Sequence, residues 1–201
     1  MMVKICGITS VADALMAVEA GADAIGLNFA AQSPRRVGID AAADIAAALP
    51  RGVWRVGIFV DLPRDAVQSI ADHVGLDVLQ FHGAESVDLC EGWDRKTIKA
   101  VRVRDAAAMA RAAAYRVDFL LADAYVEGIA GGTGQRVPLE WLGAVPRERL
   151  ILAGGLTPEN VAEAVRVVRP AGVDVASGVE REPGVKDPEK VKRFIANARN
   201  A

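Results

Sequence analysis

The chain has 201 residues and a formal net charge of -2, with no long run of one sign. This argues against nucleic acid or an anionic membrane surface as its main partner. Its apolar runs fall well short of the roughly 20 residues that span a bilayer, and its N-terminus leads directly into a strand, so we expect neither a membrane segment nor a signal peptide. Two cysteines without secretory features indicate a reducing compartment, so we expect a cytoplasmic protein. The length suits one domain over residues 1–201.

Short apolar segments rich in β-branched residues alternate with amphipathic segments along the chain. The pattern predicts strands at 3–6, 24–29, 53–60, 77–81, 97–103, 118–123, 150–153 and 173–176. The first helix is predicted at 11–20 with Ser10 as its N-cap, and another helix is predicted to begin near Glu85. We expect Pro138 to open a short helix. Threonine followed by proline at 157–158 and aspartate followed by proline at 187–188 are typical helix starts.

Apolar residues at positions i, i+3, i+4 and i+7 mark the inward faces of the predicted helices. These sets are Ala42, Ile45, Ala46 and Leu49; Val67, Ile70, Ala71 and Val74; Ala106, Met109, Ala110 and Ala113; Val161, Ala164, Val165 and Val168; and Val191, Phe194, Ile195 and Ala198. Strands that alternate with helices imply a parallel sheet. Eight such units in this length favour a single (β/α)₈ TIM barrel of the α/β class over an open doubly wound sheet.

Cys6 ends the first predicted strand and is followed by a glycine and a helix start. In a closed barrel this position lies at the face that carries the active site. Lys4 shares the strand face of Cys6, and its ammonium would lower the pKa of the thiol and make a thiolate available as a base. The alternative is an inert core thiol, the usual fate of a lone cysteine and the role we expect for Cys90.

Glycine-rich turns follow the last three strands: residues 131–134, 154–155 and 177–178. Glycine allows backbone N–H groups to approach an anion, and the turns after the seventh and eighth barrel strands commonly bind phosphate. Turn geometry alone explains any single one of them. Three such turns at one end of a barrel favour a phosphate site.

Four other polar residues are expected near the same mouth. Asp123 ends the sixth strand and could act as a general acid or serve only as a cap. Asp174 lies within the eighth strand, where a carboxylate needs a partner or a substrate. His82 follows the fourth strand, with Gln80 on the same face, and is either a rim residue or a substrate contact. No metal-ligand cluster is evident, and His73 is expected at the surface.

Seven segments, in order and over the whole chain, resemble phosphoribosylanthranilate isomerases. They are VKICGIT at 3–9, SPR at 33–35, VLQFHG at 78–83, LLAD at 120–123, GGTG at 131–134, AGGLTPEN at 153–160 and VDVASGVE at 173–180. The resemblance implies a cofactor-independent isomerase of tryptophan biosynthesis. Such an enzyme converts N-(5-phosphoribosyl)anthranilate to 1-(2-carboxyphenylamino)-1-deoxyribulose 5-phosphate by an Amadori rearrangement.

The resemblance also implies a role for individual residues. Asp123 is then the general acid that opens the ribose ring, and Cys6 the general base that removes the proton from C2. Arg35 is expected to bind the anthranilate carboxylate, although Arg36 stands where the family usually has an aromatic residue, and Asp174 to contact the ribose or the anilinic nitrogen. The residues expected to bind phosphate are Gly132, Thr133, Gly134, Gly154, Gly155, Ser177 and Gly178.

Other functions remain open at this point. The barrel could be a Schiff-base aldolase or lyase with Lys4 or Lys99 as nucleophile, or a non-catalytic protein that binds a phosphorylated sugar. It could also isomerise the related aminoaldose of histidine biosynthesis as a second substrate. The sequence does not distinguish a monomer from a homodimer.

Overall fold

A computed structural model describes residues 1–126 and 136–201. The predicted glycines 132 and 134 and Thr133 therefore lie outside the described residues. The barrel strands are β1 Met2–Cys6, β2 Ala24–Asn28, β3 Trp54–Phe59, β4 Val78–Phe81, β5 Lys96–Arg102, β6 Phe119–Asp123, β7 Leu150–Ala153 and β8 Gly172–Val175. The α-helices are α1 Val11–Glu19, α2 Ile39–Ala48, α3 Arg64–Val74, α4 Val87–Cys90, α5 Ala106–Ala112, α6 Val161–Val168 and α7 Pro188–Arg199.

The eight strands close into a parallel barrel in which each strand pairs with its neighbours in sequence and β8 pairs with β1. The predicted (β/α)₈ TIM barrel is therefore confirmed. At the closing seam Lys4 lies in register with Asp174. Three 3₁₀ turns (Leu139–Leu142, Arg147–Arg149 and Ser177–Val179) and two minor strand pairs complete the described structure. One pair joins Tyr125–Val126 to Arg136–Val137, and the other is a hairpin with arms Glu180–Glu182 and Val185–Lys186.

Two apolar cores explain why the strands are almost continuously hydrophobic. One core fills the barrel interior with small and branched side chains (Ala24, Val56, Val78, Ile98, Ala100, Leu121, Ile151 and Ala153). The other lies between the strands and the helices, and it includes Ile5, Leu27, Phe59, Leu79 and Cys90. Among the described residues, we find no helix with both the length and the apolar character needed to cross a membrane.

Helix caps show where local sequence was a sufficient guide and where it was not. The Ser10 hydroxyl accepts the N–H of Asp13, and Asp187 caps α7 by accepting the N–H groups of Glu189 and Lys190, as predicted. The prediction of a helix start at 157–158 was wrong, because α6 begins at Val161. The side chain of Asn160 instead accepts the N–H of Thr157, which holds these residues in a turn.

The inward face of α5 also differs from the prediction. Ala108, Met109 and Ala112 are buried, whereas Ala110 and Ala113 are exposed. The helix predicted near Glu85 is only the four residues of α4, with the Ser86 hydroxyl as its cap. Cys90 is buried, and the side chain of His73 is about half exposed, as expected.

Candidate active site

A cavity of about 290 Å³ opens at the carboxyl ends of the barrel strands. Most of the residues singled out in the sequence line it: Cys6, Arg35, His82, Asp123, Gly154, Gly155, Asp174, Ser177 and Gly178. They come from β1, β6 and β8 and from the loops after β2, β4, β7 and β8. Gln80 is the described exception, because it is fully buried and does not reach the cavity.

Cys6 occupies its position because the neighbouring strand has no side chain at that level. A Cβ atom on Gly26 would lie 2.9 Å from Sγ of Cys6. Beneath the thiol, Nζ of Lys4 donates to Oδ1 of Asp174 at 2.8 Å inside the barrel. Asp174 thus has the partner that a buried carboxylate requires, and it also faces the cavity.

Burial raises the pKa of the Cys6 thiol, and the ammonium groups of Lys4 and Lys186 offset this effect only in part. The expected lowering of this pKa was wrong, because loss of hydration penalises the thiolate more than the nearby charges stabilise it. Burial also tends to lower the pKa of Lys4, but the charges of Asp174 and Cys6 outweigh burial and raise it.

The two lysines considered as Schiff-base nucleophiles are both held in buried ion pairs. Lys4 is bound to Asp174, and its raised pKa keeps the amine protonated and unreactive. Nζ of Lys99 lies 2.7 Å from Oε2 of Glu85 and also donates to the carbonyl of Gly83. A nucleophilic amine must be neutral, so these ion pairs disfavour the hypothesis of a Schiff-base aldolase or lyase.

Asp123 and His82 face each other across one side of the cavity, with Oδ2 and Nε2 4.0 Å apart. Burial lowers the pKa of His82, which is therefore neutral near pH 7. The side-chain amide of Gln80 lies 3.2 Å from Nδ1 of His82. If Nε2 of Gln80 is the donor, Nδ1 accepts and the ring carries its proton on Nε2, toward Asp123.

Arg35 is held by a carboxylate that we did not single out from the sequence. Its Nε and Nη2 donate to Oε1 and Oε2 of Glu180 at 2.8 and 2.7 Å. Nζ of Lys186 donates to the same carboxylate at 2.7 Å. Glu180 ends the last of the seven segments above, which was the available signal, whereas nothing local marked Lys186.

The opposite wall is built from backbone. Gly154 and Gly155 follow β7 with φ values of 93° and 63°, which turn the chain into the cavity wall. Ser177 and Gly178 follow β8 in a 3₁₀ turn, and a Cβ atom on Gly178 would collide with the carbonyl of Leu156. Within the described part of the chain, the N–H groups of Gly155 and Gly178 donate to no acceptor. Such groups suit an anion.

Comparisons with known proteins agree on one family. The family model described as "N-(5'phosphoribosyl)anthranilate (PRA) isomerase" matches residues 3–197. An N-(5'-phosphoribosyl)anthranilate isomerase from Citrifermentans bemidjiense is 52% identical over 200 residues, which cover 98% of this chain and 96% of the relative. The crystal structure of the phosphoribosyl anthranilate isomerase from Thermotoga maritima aligns over 100% of both chains with 41% identity and a TM-score of 0.91. Another such isomerase, solved in complex with reduced 1-(o-carboxyphenylamino)-1-deoxyribulose 5-phosphate, aligns over 100% of both chains with 40% identity and a TM-score of 0.89.

Proposed function

Because this chain belongs to the N-(5'-phosphoribosyl)anthranilate isomerase family, we propose that its cavity binds N-(5'-phosphoribosyl)anthranilate and that its own residues carry the rearrangement. The chain is an isomerase of tryptophan biosynthesis, and its product is 1-(2-carboxyphenylamino)-1-deoxyribulose 5-phosphate. Family membership favours this activity over a non-catalytic sugar-phosphate-binding barrel. The reaction is an internal redox change, in which C1 of the sugar is reduced and C2 is oxidised.

Asp123 acts as the general acid in the first step. It protonates the ring oxygen of the ribose, the bond from C1 to that oxygen breaks, and the anilinic nitrogen supplies the electron pair for a Schiff base. The support is position, because Asp123 ends β6 and lines the cavity. His82 lines the same cavity, with its Nε2 4.0 Å from Oδ2 of Asp123.

Cys6 acts as the general base in the second step. It removes the proton from C2, and the electrons move into the iminium group to form an enolamine that tautomerises to the ketone. The iminium is an electron sink, so a base of modest strength suffices. An acid and a base in one pocket must hold different protonation states. The ammonium groups of Lys4 and Lys186 offset part of the penalty that burial places on the Cys6 thiolate.

The remaining residues hold the substrate between these two groups. Arg35 binds the anthranilate carboxylate, since a guanidinium matches a carboxylate with two parallel hydrogen bonds. Asp174 contacts the ribose or the anilinic nitrogen. Gly154, Gly155, Ser177 and Gly178, with residues 132–134, bind the phosphate. His82 contacts the substrate directly, and Gln80 acts on it through the His82 ring.

One observation carries this assignment: Cys6 and Asp123, which are distant in sequence, line one cavity together with Arg35 and the glycine wall. All the described residues of the scheme come from a single chain, so it operates equally in a monomer or a homodimer. We also propose that residues 1–201 act as one domain, and that the protein is cytoplasmic, since both cysteines are free.

Turnover of the substrate tests the proposal. Purified protein should abolish the anthranilate fluorescence of N-(5'-phosphoribosyl)anthranilate. Cys6→Ser and Asp123→Asn should each lower kcat by about 10²-fold or more, the usual worth of one proton-transfer group. Cys90→Ala and Asp88→Asn are matched controls away from the cavity and should keep normal rates. Full turnover by Asp123→Asn would remove that residue from the scheme. The aminoaldose of histidine biosynthesis, assayed in parallel, measures any second activity.

A further inference from the structure

Glu180 is a buried carboxylate to which the scheme above gives no task. It lies at the start of the hairpin after β8, and its side chain is only 5% exposed. It takes two parallel hydrogen bonds from Arg35, which is 145 residues away in the sequence. The hairpin itself is tied to the first loop of the barrel, because the Thr9 hydroxyl donates to the carbonyl of Gly184 at 2.7 Å.

The Glu180 carboxylate is ionised and shared. Burial by itself would raise its pKa, but hydrogen bonds from Arg35 and Lys186 lower the pKa to about 2. The N–H of Gly184 adds a further hydrogen bond to Oε1 at 3.2 Å. Two cations and one anion therefore meet here, which leaves one net positive charge. A carboxylate on the substrate would neutralise it.

Arg35 presents one edge to Glu180 and keeps the other edge for the cavity. Its Nε and one Nη2 hydrogen are used, whereas Nη1 has no acceptor within the described ranges. The side chain is 22% exposed and lines the cavity beside Cys6. Gly7 makes this path possible, because a Cβ atom on Gly7 would lie 2.5 Å from Cδ of Arg35.

We propose that Glu180 is the positioning residue that gives the site its preference for a carboxylated aromatic ring, because it fixes Arg35 with one guanidinium edge toward the cavity. The inference rests on the proposed function, and specifically on the assignment of Arg35 to the substrate carboxylate. A free arginine side chain would lose rotamer freedom on binding the substrate. Glu180 restricts the Arg35 side chain to one orientation before the substrate binds. Because Lys186 also pairs with Glu180, the three side chains together keep one net positive charge.

The test compares two ligands that differ only in the ring carboxylate. One is reduced 1-(o-carboxyphenylamino)-1-deoxyribulose 5-phosphate, and the other is the same molecule with a plain phenylamino group. The ratio of their Kd values in the unaltered protein measures carboxylate preference. Glu180→Asp keeps a carboxylate to pair with Lys186, but the shorter side chain withdraws the two oxygens that accept hydrogen bonds from Arg35. It should reduce the preference by roughly 10-fold to 100-fold, with the loss confined to the carboxylated ligand.

Control variants separate this role from a general loss of structure. Glu182→Gln alters an exposed carboxylate on the same hairpin and should keep the full preference. The double variant of Glu180→Gln with Lys186→Met removes both members of the buried pair, so neither charge is left without its partner. It should lose the carboxylate preference as Glu180→Asp does. Equal weakening of both ligands in these Glu180 variants, or an unchanged ratio, would overturn the proposal.

A further variant distinguishes failure of this inference from failure of the proposed function. If Arg35→Ala abolishes the preference while Glu180→Asp keeps it, Arg35 binds the carboxylate without needing Glu180, and only the inference fails. If Arg35→Ala keeps the preference, the carboxylate binds elsewhere, and the assignment of Arg35 fails with it. The turnover of N-(5'-phosphoribosyl)anthranilate by the unaltered protein tests the proposed function separately from both of these results.

Discussion

Replacing Lys4 with methionine should destabilise the barrel because it breaks a buried ion pair. Lys4 is fully buried, and its only described ion-pair partner is Asp174, at 2.8 Å. Lys4→Met fills much of the same space but leaves the carboxylate without its cation. Breaking a buried pair in this way usually costs about 3–5 kcal/mol.

Asp174 faces the cavity, where water reaches it, so we expect a cost near the lower end of this range, about 3 kcal/mol. For 201 residues the entropy of unfolding is about 0.4 kcal/mol/K, so Tm should fall by roughly 7 °C.

Urea denaturation at pH 7 measures this effect. Adding Asp174→Asn to Lys4→Met should recover part of the loss, because the buried carboxylate without a cation is then removed. Lys96→Met is the matched control, since Lys96 and Asp118 are 3.8 Å apart and largely exposed, and it should cost less than about 1 kcal/mol. A loss in Lys4→Met that is no larger than in this control, or that Asp174→Asn does not reduce, would refute the reasoning.

Three further predictions concern the groups around Cys6. Gly7→Ala should lower the free energy of unfolding by about 1–2 kcal/mol, because φ is 72° at this position. It should also raise KM, because the new Cβ displaces Arg35. An unchanged KM would contradict the packing described above. Because the pKa of Cys6 is raised, kcat/KM should keep increasing with pH up to at least about 9, and Cys6→Ser should lack this increase. The pKa of Glu180 is lowered from 4.5 to about 2, so its stabilisation is complete above pH 4.5 and disappears as the pH falls toward 2. It amounts to about 3 kcal/mol, and the urea midpoint of the Glu180→Gln and Lys186→Met double variant should depend less on pH across this range than that of the unaltered protein.

The barrel was predictable because each strand is apolar on both faces and each long helix on one. The predicted strand at 150–153 matches the observed bounds. The predictions of the inward face of α5 and of the start of α6 were wrong because the local residues there are compatible with more than one structure. Helix α5 reads AAAMARA, and alanines on opposite faces look alike, so periodicity could not place its inward side. At 157–158, threonine and proline satisfy a turn as well as a helix start, and the buried Asn160 decides between them.

The residues at the mouth were predictable for a topological reason. A parallel barrel brings all strand ends to one face, so residues such as Cys6 and Asp123 could be placed together without any distance information. The partners of Arg35 were not predictable in this way. Glu180 and Lys186 lie on a hairpin beyond the last strand, and only the closed fold brings that hairpin over the first loop. The balance between burial and charge at Cys6 likewise depends on coordinates.

The seam between β1 and β8 has a consequence for biosynthesis. Lys4 leaves the ribosome long before Asp174, and Arg35 long before Glu180, with 170 and 145 residues between the members of these pairs. A nascent chain that ends before β8 lacks the strand that pairs with both β1 and β7, and it lacks the carboxylates that pair with Lys4 and Arg35. Unpaired strand edges are templates for pairing with other chains. The last strand and its hairpin therefore close the barrel and supply both of these buried partners together.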